Sequence, residues 1–283
     1  MERLILELQT FDLDAPGAGT PEAFGETVVA RVLAAWDGGA DLVLLPEFLW
    51  MGLAPRAPGG DARAVAELFW GRLWPSLAPR LARPGKAAVL GTAPWAAPDG
   101  SLRNRAPIAC DGAFLHQDKL HLTPWELGFS PGDVLRVWNL GGARCAVAVC
   151  LDVEVPELAA ALRGRELDLL LVPSATESIL GVERVGRCAD ARAVELGCHV
   201  GLAHLVGAID SELLDANVGR LGVFSPSQSA FVSAPRRLVT EVVDSGHHRL
   251  RAELDLAALR RQRAARGETD PSRLRPGPVR VEG

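Results

Sequence analysis

The chain has 283 residues, 48% of them apolar and 23% charged, which is enough apolar content to bury a substantial core and too much for a disordered segment. Its 35 acids outweigh 30 bases, for a net charge of -5, so the basic excess of a nucleic-acid binder is missing and a small-molecule or protein partner is expected. Of the cations, 28 are arginine and only two, Lys86 and Lys119, are lysine, and there is no tyrosine.

Residues 4–8 read as an apolar strand, with none of the basic stretch, long apolar run and cleavage site of a signal peptide. A helix is expected after Thr20-Pro21, a cap followed by proline at the first helical position, with Phe24, Val28, Val32 and Trp36 on one stripe and a stop at Gly38-Gly39. Strands follow at 41–45 and 87–91, separated by a helix from about Asp61 that carries Val65, Phe69 and Leu73 and that Pro75 should kink or end. Further strands are predicted at 108–116, 134–140, 145–150, 167–172, 199–206 and 238–243, and helices near Val155-Pro156, at 182–197, and at 256–266 behind Asp255 as cap. Many of these runs are continuously apolar, as strands covered on both faces require. The alternation predicts one α/β domain over residues 1–267 and an irregular tail at 268–283 that frays or docks on a partner. No run approaches a membrane span, since the most apolar stretch, 198–209, is short and carries His199 and His204; a cytoplasmic protein with no membrane partner is expected.

The five cysteines (110, 145, 150, 188, 198) form no CxxC pair and no zinc spacing, so neither a disulfide framework nor a metal site is predicted. No GxSxG elbow occurs, and neither GxGxxG nor a phosphate-loop lysine follows a strand, so no cofactor is predicted. His247-His248 reads as a solvated turn. Three segments carry chemistry. In DLVLLPEFLWMG a buried strand runs into Pro46-Glu47, placing a carboxylate at a strand end, where it is a candidate general base or a plain loop acid. In FLHQDKLHLTPWELGFSPGD a strand ends beside Lys119, a compact ammonium able to donate to a developing oxyanion; in a chain that otherwise uses arginine, a decorative lysine is the weaker alternative, whereas Lys86 reads as an ordinary surface lysine. In ARCAVAVCLDVEVPELAAAL a strand of small residues ends at Cys150 just before a helix, a corner where the helix terminus and an ammonium lower a thiol from about 8.5 toward the reactive range of about 3.5 to 7.5; the alternative is a packing thiol, as expected for the other four.

Taken together, LLPEF, QDKLHL and AVCLDVEVPE resemble the Glu-Lys-Cys triad segments of the carbon-nitrogen hydrolase, or nitrilase, superfamily in order and local setting. RNRAPIACDGAF, DLLLVPSA and RCADARAVELG are similar to further segments of that family, over residues 1 to about 210. The resemblance implies a four-layer α-β-β-α sandwich, association as a homodimer or higher homo-oligomer, and thiol hydrolysis of a non-peptide carbon-nitrogen bond, amidase or omega-amidase-like, through a thioester. In that implied mechanism Glu47 is the base, Cys150 the nucleophile, and Lys119 with the Leu151 N–H the oxyanion donors. Glu126 resembles the family's additional glutamate that orients the lysine or substrate, its alternative being a loop acid. Leu151-Asp152 stands where the nitrile-hydrolysing branch favours tryptophan, so an amide of a small molecule is the favoured substrate; nitrile hydrolysis, acyl transfer to an amine, and a non-catalytic binding or assembly module are the alternatives. His204 departs from the asparagine that is common in the family at that strand. The hydroxyl-bearing stretch containing Ser174 and Thr176, together with Trp50 and Trp125, is expected at the pocket, or else in packing and capping.

Overall fold

A computed structural model of the chain describes residues 1–14, 19–211 and 213–265. In chain order the elements are β1 (Arg3–Gln9), β2 (Phe11–Asp12), α1 (Pro21–Asp37), β3 (Leu42–Leu45), α2 (Ala62–Ala66), α3 (Trp74–Leu77), β4 (Ala87–Leu90), β5 (Ala93–Ala96), β6 (Leu102–Cys110), β7 (Ala113–Asp118), β8 (Val137–Leu140), β9 (Ala143–Val147), α4 (Pro156–Leu162), β10 (Leu169–Ser174), α5 (Ile179–Leu196), β11 (His199–Ala208), β12 (Ala216–Asn217), β13 (Leu221–Phe224), β14 (Arg237–Val239), β15 (Arg249–Asp255) and α6 (Leu256–Ala264). One sheet has the order β15-β1-β3-β4-β6-β5, with β7 on β6; the other has β14-β13-β11-β10-β9-β8, with β2 and β12 on β11.

Period-two alternation assembles the layers. On β3 and β4, Leu42, Leu44, Ala87 and Val89 face the second sheet, where they join Leu171, Val200 and Leu202 in one core. The intervening Val43, Leu45, Ala88 and Leu90 face outward and pack under Phe24, Val28, Val32 and Trp36 of α1. On the far side, Leu158 and Leu162 of α4 and Val185, Ala189 and Ala193 of α5 cover the second sheet, completing an α-β-β-α stack. Both central strand sets are parallel, with Leu42 opposite Ala87 in one sheet and Leu169 between Cys145 and His199 in the other. This explains their unbroken apolar runs. Gly201 leaves room for the facing sheet's side chains, since a Cβ there would lie 2.9 Å from Leu6 Cδ2 and 3.2 Å from Leu8 Cδ2. Among the described residues no helix is long and apolar enough to cross a membrane.

Several expectations change. Residues 108–116 form two strands of a hairpin rather than one strand, because Asp111 (φ 51°) and Gly112 (φ 80°) adopt the two left-handed positions of a tight turn. Pro75 neither ends nor interrupts the second helical stretch, which continues to residue 81. Residues 67–73 widen into a π-helix in which Trp74 N–H reaches Phe69 O, so the proline falls in the first turn of a new segment. β5, β13 and β15 escape the apolar-run reading. In β15 only Leu250, Ala252 and Leu254 alternate with charged residues, the pattern of an antiparallel edge strand. Lys86 is half-buried and bonds Ala40 O and Asp41 Oδ1 instead of facing water. The 238–243 strand shortens to β14, and the expected tail at 268–283 lies outside the described residues.

Candidate active site

The three predicted strand ends meet at one place between the sheets. Glu47 follows β3 by two residues and is buried. The next residue, Phe48, turns the chain at φ 54°, with its N–H held by Thr92 Oγ1 at 2.8 Å. Lys119 directly follows β7, where its backbone N–H donates to Asn104 O at 2.8 Å. Its ammonium is 2.8 Å from Glu47 Oε1 and 2.7 Å from Glu126 Oε2. The Asn104 amide also serves both acids, donating to Glu47 Oε1 at 2.9 Å and to Glu126 Oε1 at 3.0 Å. Glu126 further accepts from the Thr123 N–H and hydroxyl, and Glu47 Oε2 accepts from Ala175 N–H at 3.0 Å.

Two buried carboxylates therefore share a single cation. Burial and the neighbouring Glu126 hold the Glu47 pKa above the ordinary carboxylate value, against the pull of Lys119. Burial opposes the Lys119 charge, but Glu47, Cys150 and Glu126 outweigh it and raise the lysine pKa, so the group is a fixed ammonium. A base of raised pKa beside a permanent cation is suited to accept a proton while the cation stabilises an oxyanion.

Cys150 comes from the second sheet, three residues beyond β9, at φ 48° in the left-handed region. Its sulfur receives the Ser174 hydroxyl at 3.2 Å and donates to Ala175 O at 3.6 Å. The expected lowering of its pKa is reversed. Burial, then the Glu47 charge, push the thiol up to about 12, and Lys119 and Ser174 offset only part of this. The helix invoked for the lowering, α4, starts six residues beyond Cys150 at Pro156 and has only seven residues, whereas Cys150 itself opens a separate five-residue 3₁₀ segment, Cys150–Glu154, too short for a strong terminal dipole. The resting nucleophile is a neutral thiol that needs a base at the moment of attack.

A cavity of about 170 Å³ opens onto these groups, walled by Glu47, Lys119, Cys150, Leu151, Thr176 and Asn217. Trp125 stands exposed at its mouth. Thr176 lines it but spends its hydroxyl on Val218 O at 2.8 Å, which shapes the wall and leaves no donor for a ligand. Ser174 is fully buried and acts on Cys150, outside the cavity wall. Trp50 is no pocket residue: it packs on Phe24 and Phe69 and donates to Leu90 O. His204, buried with its pKa pushed down to about 4, bonds Arg220 O and serves packing. Among the described residues no group of three or more His, Cys, Asp or Glu is placed to hold a metal ion.

The residue-by-residue reading did not single out Asn104 or Asn217. Asn104 sits in the RNRAPIACDGAF segment already noted, where an asparagine inside a buried strand was the available signal. Nothing local marks Asn217, which reaches the wall through the two-residue strand β12.

The model of the carbon-nitrogen hydrolase family matches residues 15–264. The chain is 30% identical over 251 residues to "Probable hydrolase YhcX" of Bacillus subtilis (strain 168), covering 86% of the chain and 48% of YhcX, so it spans about half the length of that relative. It is 28% identical over 233 residues to an "(R)-stereoselective amidase" of Pseudomonas sp., covering 81% and 82% of the two proteins. The crystal structure of Saccharomyces cerevisiae Nit3, a member of branch 10 of the nitrilase superfamily, shares the fold at a TM-score of 0.70 and 20% identity, over 96% of this chain and 97% of that one.

Proposed function

The chain belongs to the carbon-nitrogen hydrolase family, and from that premise we propose that it hydrolyses the amide of a small molecule through a Cys150 thioester. The observation that carries this reading is the shared cavity, in which the thiol, the ammonium and the raised-pKa carboxylate face one small volume. Glu47 takes the thiol proton as Sγ bonds to the carbonyl carbon. The carbonyl oxygen becomes an oxyanion held by Lys119 Nζ and the Leu151 N–H. Glu47 returns the proton to the amide nitrogen, the C–N bond breaks, ammonia or an amine leaves, and the acyl group remains on sulfur. Glu47 then takes a proton from water, whose oxygen bonds to the acyl carbon, and the thioester breaks to release the carboxylic acid and the thiol. Because the thiol sits up to about 12, proton removal and attack are coupled, and Ser174 eases the step by donating to sulfur.

Size supports a short substrate. A cavity of about 150 Å³ accommodates a benzene ring, so 170 Å³ suits an acyl group of a few carbons. The amidase relative and the leucine after Cys150 support an amide over a nitrile. The test is ammonia release from a panel of short aliphatic amides, with intact-mass detection of the acyl adduct. Turnover with an adduct on the Cys150 peptide, both lost in Cys150→Ala while the circular dichroism spectrum is retained, is the expected result. No ammonia and no adduct from any member, or turnover surviving in Cys150→Ala, refutes the proposal.

A further inference from the structure

Asp152 lies two residues beyond Cys150, fully buried, and none of the chemistry above uses it. Its carboxylate collects donors from both sides of the cavity. Oδ2 accepts the N–H of Val149, the residue before the nucleophile, at 3.0 Å. Oδ1 accepts the N–H of His121 at 2.7 Å and that of Leu120 at 3.1 Å, the two residues directly after Lys119. Leu120 N–H also lies 3.2 Å from Oδ2, and the His121 ring closes the set with Nδ1 at 3.0 Å from Oδ1.

The two backbones joined in this way belong to different sheets: Lys119 follows β7 of the first, and Cys150 follows β9 of the second. Among the described residues no strand ladder ties one to the other. A lysine side chain alone has too many rotatable bonds to define where its ammonium stands relative to the sulfur. We infer that Asp152, braced by the His121 ring, is the positioning residue that sets the spacing between the Cys150 elbow and the Lys119 loop, so that Lys119 Nζ and the Leu151 N–H converge on one oxyanion. A carboxylate suits the task because both oxygens only accept. Asparagine at 152 keeps one acceptor and turns an NH2 group toward backbone N–H donors, so it must release one loop or the other.

This inference rests on the nucleophile and oxyanion assignment above, and its test needs no substrate, so the two fail separately. The readout is the rate at which iodoacetamide labels the Cys150 peptide at pH 8, followed by mass spectrometry in the full-length protein. Neutralising Asp152 acts in opposite directions by the two routes available. Losing a nearby negative charge favours the thiolate and speeds labelling, whereas a displaced Lys119 leaves the thiol less acidic and slows it. Asp152→Asn is expected to slow labelling about tenfold, and to lower kcat on any amide turned over by a similar factor with KM within about threefold. The same substitution in a Lys119→Ala background is expected to slow labelling no further, because the slowing runs through the lysine. Leu158→Ala, which loosens the core under α4, is expected to lower Tm without changing the labelling rate. His121→Ala keeps every backbone donor and is expected to slow labelling two- to fivefold; it decides the question alone if Asp152→Asn does not fold. Labelling that is unchanged or faster in folded Asp152→Asn or His121→Ala, or that slows equally with and without Lys119, overturns the inference. Normal labelling dependence on Asp152 with no amide turned over counts against the substrate reading instead.

Discussion

Two clusters of buried acids have opposite stoichiometry. At the cavity, Glu47 and Glu126 share the single cation Lys119. At the other cluster, Asp168 alone is met by two, Arg260 at 3.3 Å and Arg263 at 2.7 Å, and also takes the Arg144 N–H at 3.0 Å. In both sets the acids are withdrawn from water, yet the balance differs. The acid with surplus cations binds α6 to the N-terminal ends of β10 and β11, with Arg263 also donating to Leu167 O and Gly197 O. Where one cation serves two acids, burial and the neighbouring Glu126 hold the Glu47 pKa up, and Glu47 is the acid beside the thiol. Buried ion pairs are poor evidence of stability in themselves; here the count of charges separates a fastening from a base.

Substitutions at the two clusters break or sharpen that contrast. Glu47→Gln removes the proton acceptor and is expected to lower kcat by about 10² to 10⁴ while leaving Tm unchanged or higher, because it relieves the crowded negative charge. A fall in Tm with kcat intact would place Glu47 among the fastenings. Next in size, Lys119→Arg keeps the charge but substitutes a planar fork for a compact ammonium, and a loss of about 10² to 10³ in kcat is expected; near-normal steady-state rates in that variant refute its oxyanion role. The pH profile is a smaller, graded effect. Since the Glu47 pKa is raised by burial, the base is lost as pH falls through a value above the ordinary carboxylate range. The acid limb of kcat/KM should lie above about pH 4.5, and an acid limb at or below that value contradicts the raised pKa. Arg263→Ala should act the other way round, costing about 1 to 3 kcal/mol by chemical denaturation with kcat preserved. Loss of activity in proportion to a fully folded Arg263→Ala protein erases the distinction between the clusters.

Most of the architecture was legible because it rests on periodicity. The parallel core strands show as apolar runs, and α1 announces itself by Thr20, Pro21 and its Phe24–Trp36 stripe. The failures share a cause: β15 depends on pairing with β1, and the passage through Pro75 depends on a π turn that the surrounding aromatic packing accommodates. Neither has a local signature. The triad residues were visible individually because each sits at a strand end with an unusual residue type for its surroundings. Asn104 was visible only as part of a segment, and Asp152 not at all as a functional group, since a carboxylate's worth depends on which donors converge on it.

By itself, the sequence determined which residues are candidates for the chemistry and that strand ends carry them, because strand periodicity and the scarcity of lysine are properties of the chain read locally. Only the tertiary structure decided their state. Whether Cys150 is a thiolate or a thiol, whether Glu47 is an ordinary acid or a base, and whether Lys119 serves one partner or two are set by burial and by distances between residues 7 to 103 positions apart along the chain. Coulomb energies and desolvation depend on spatial separation and dielectric surroundings, and neither quantity exists until the two sheets have closed.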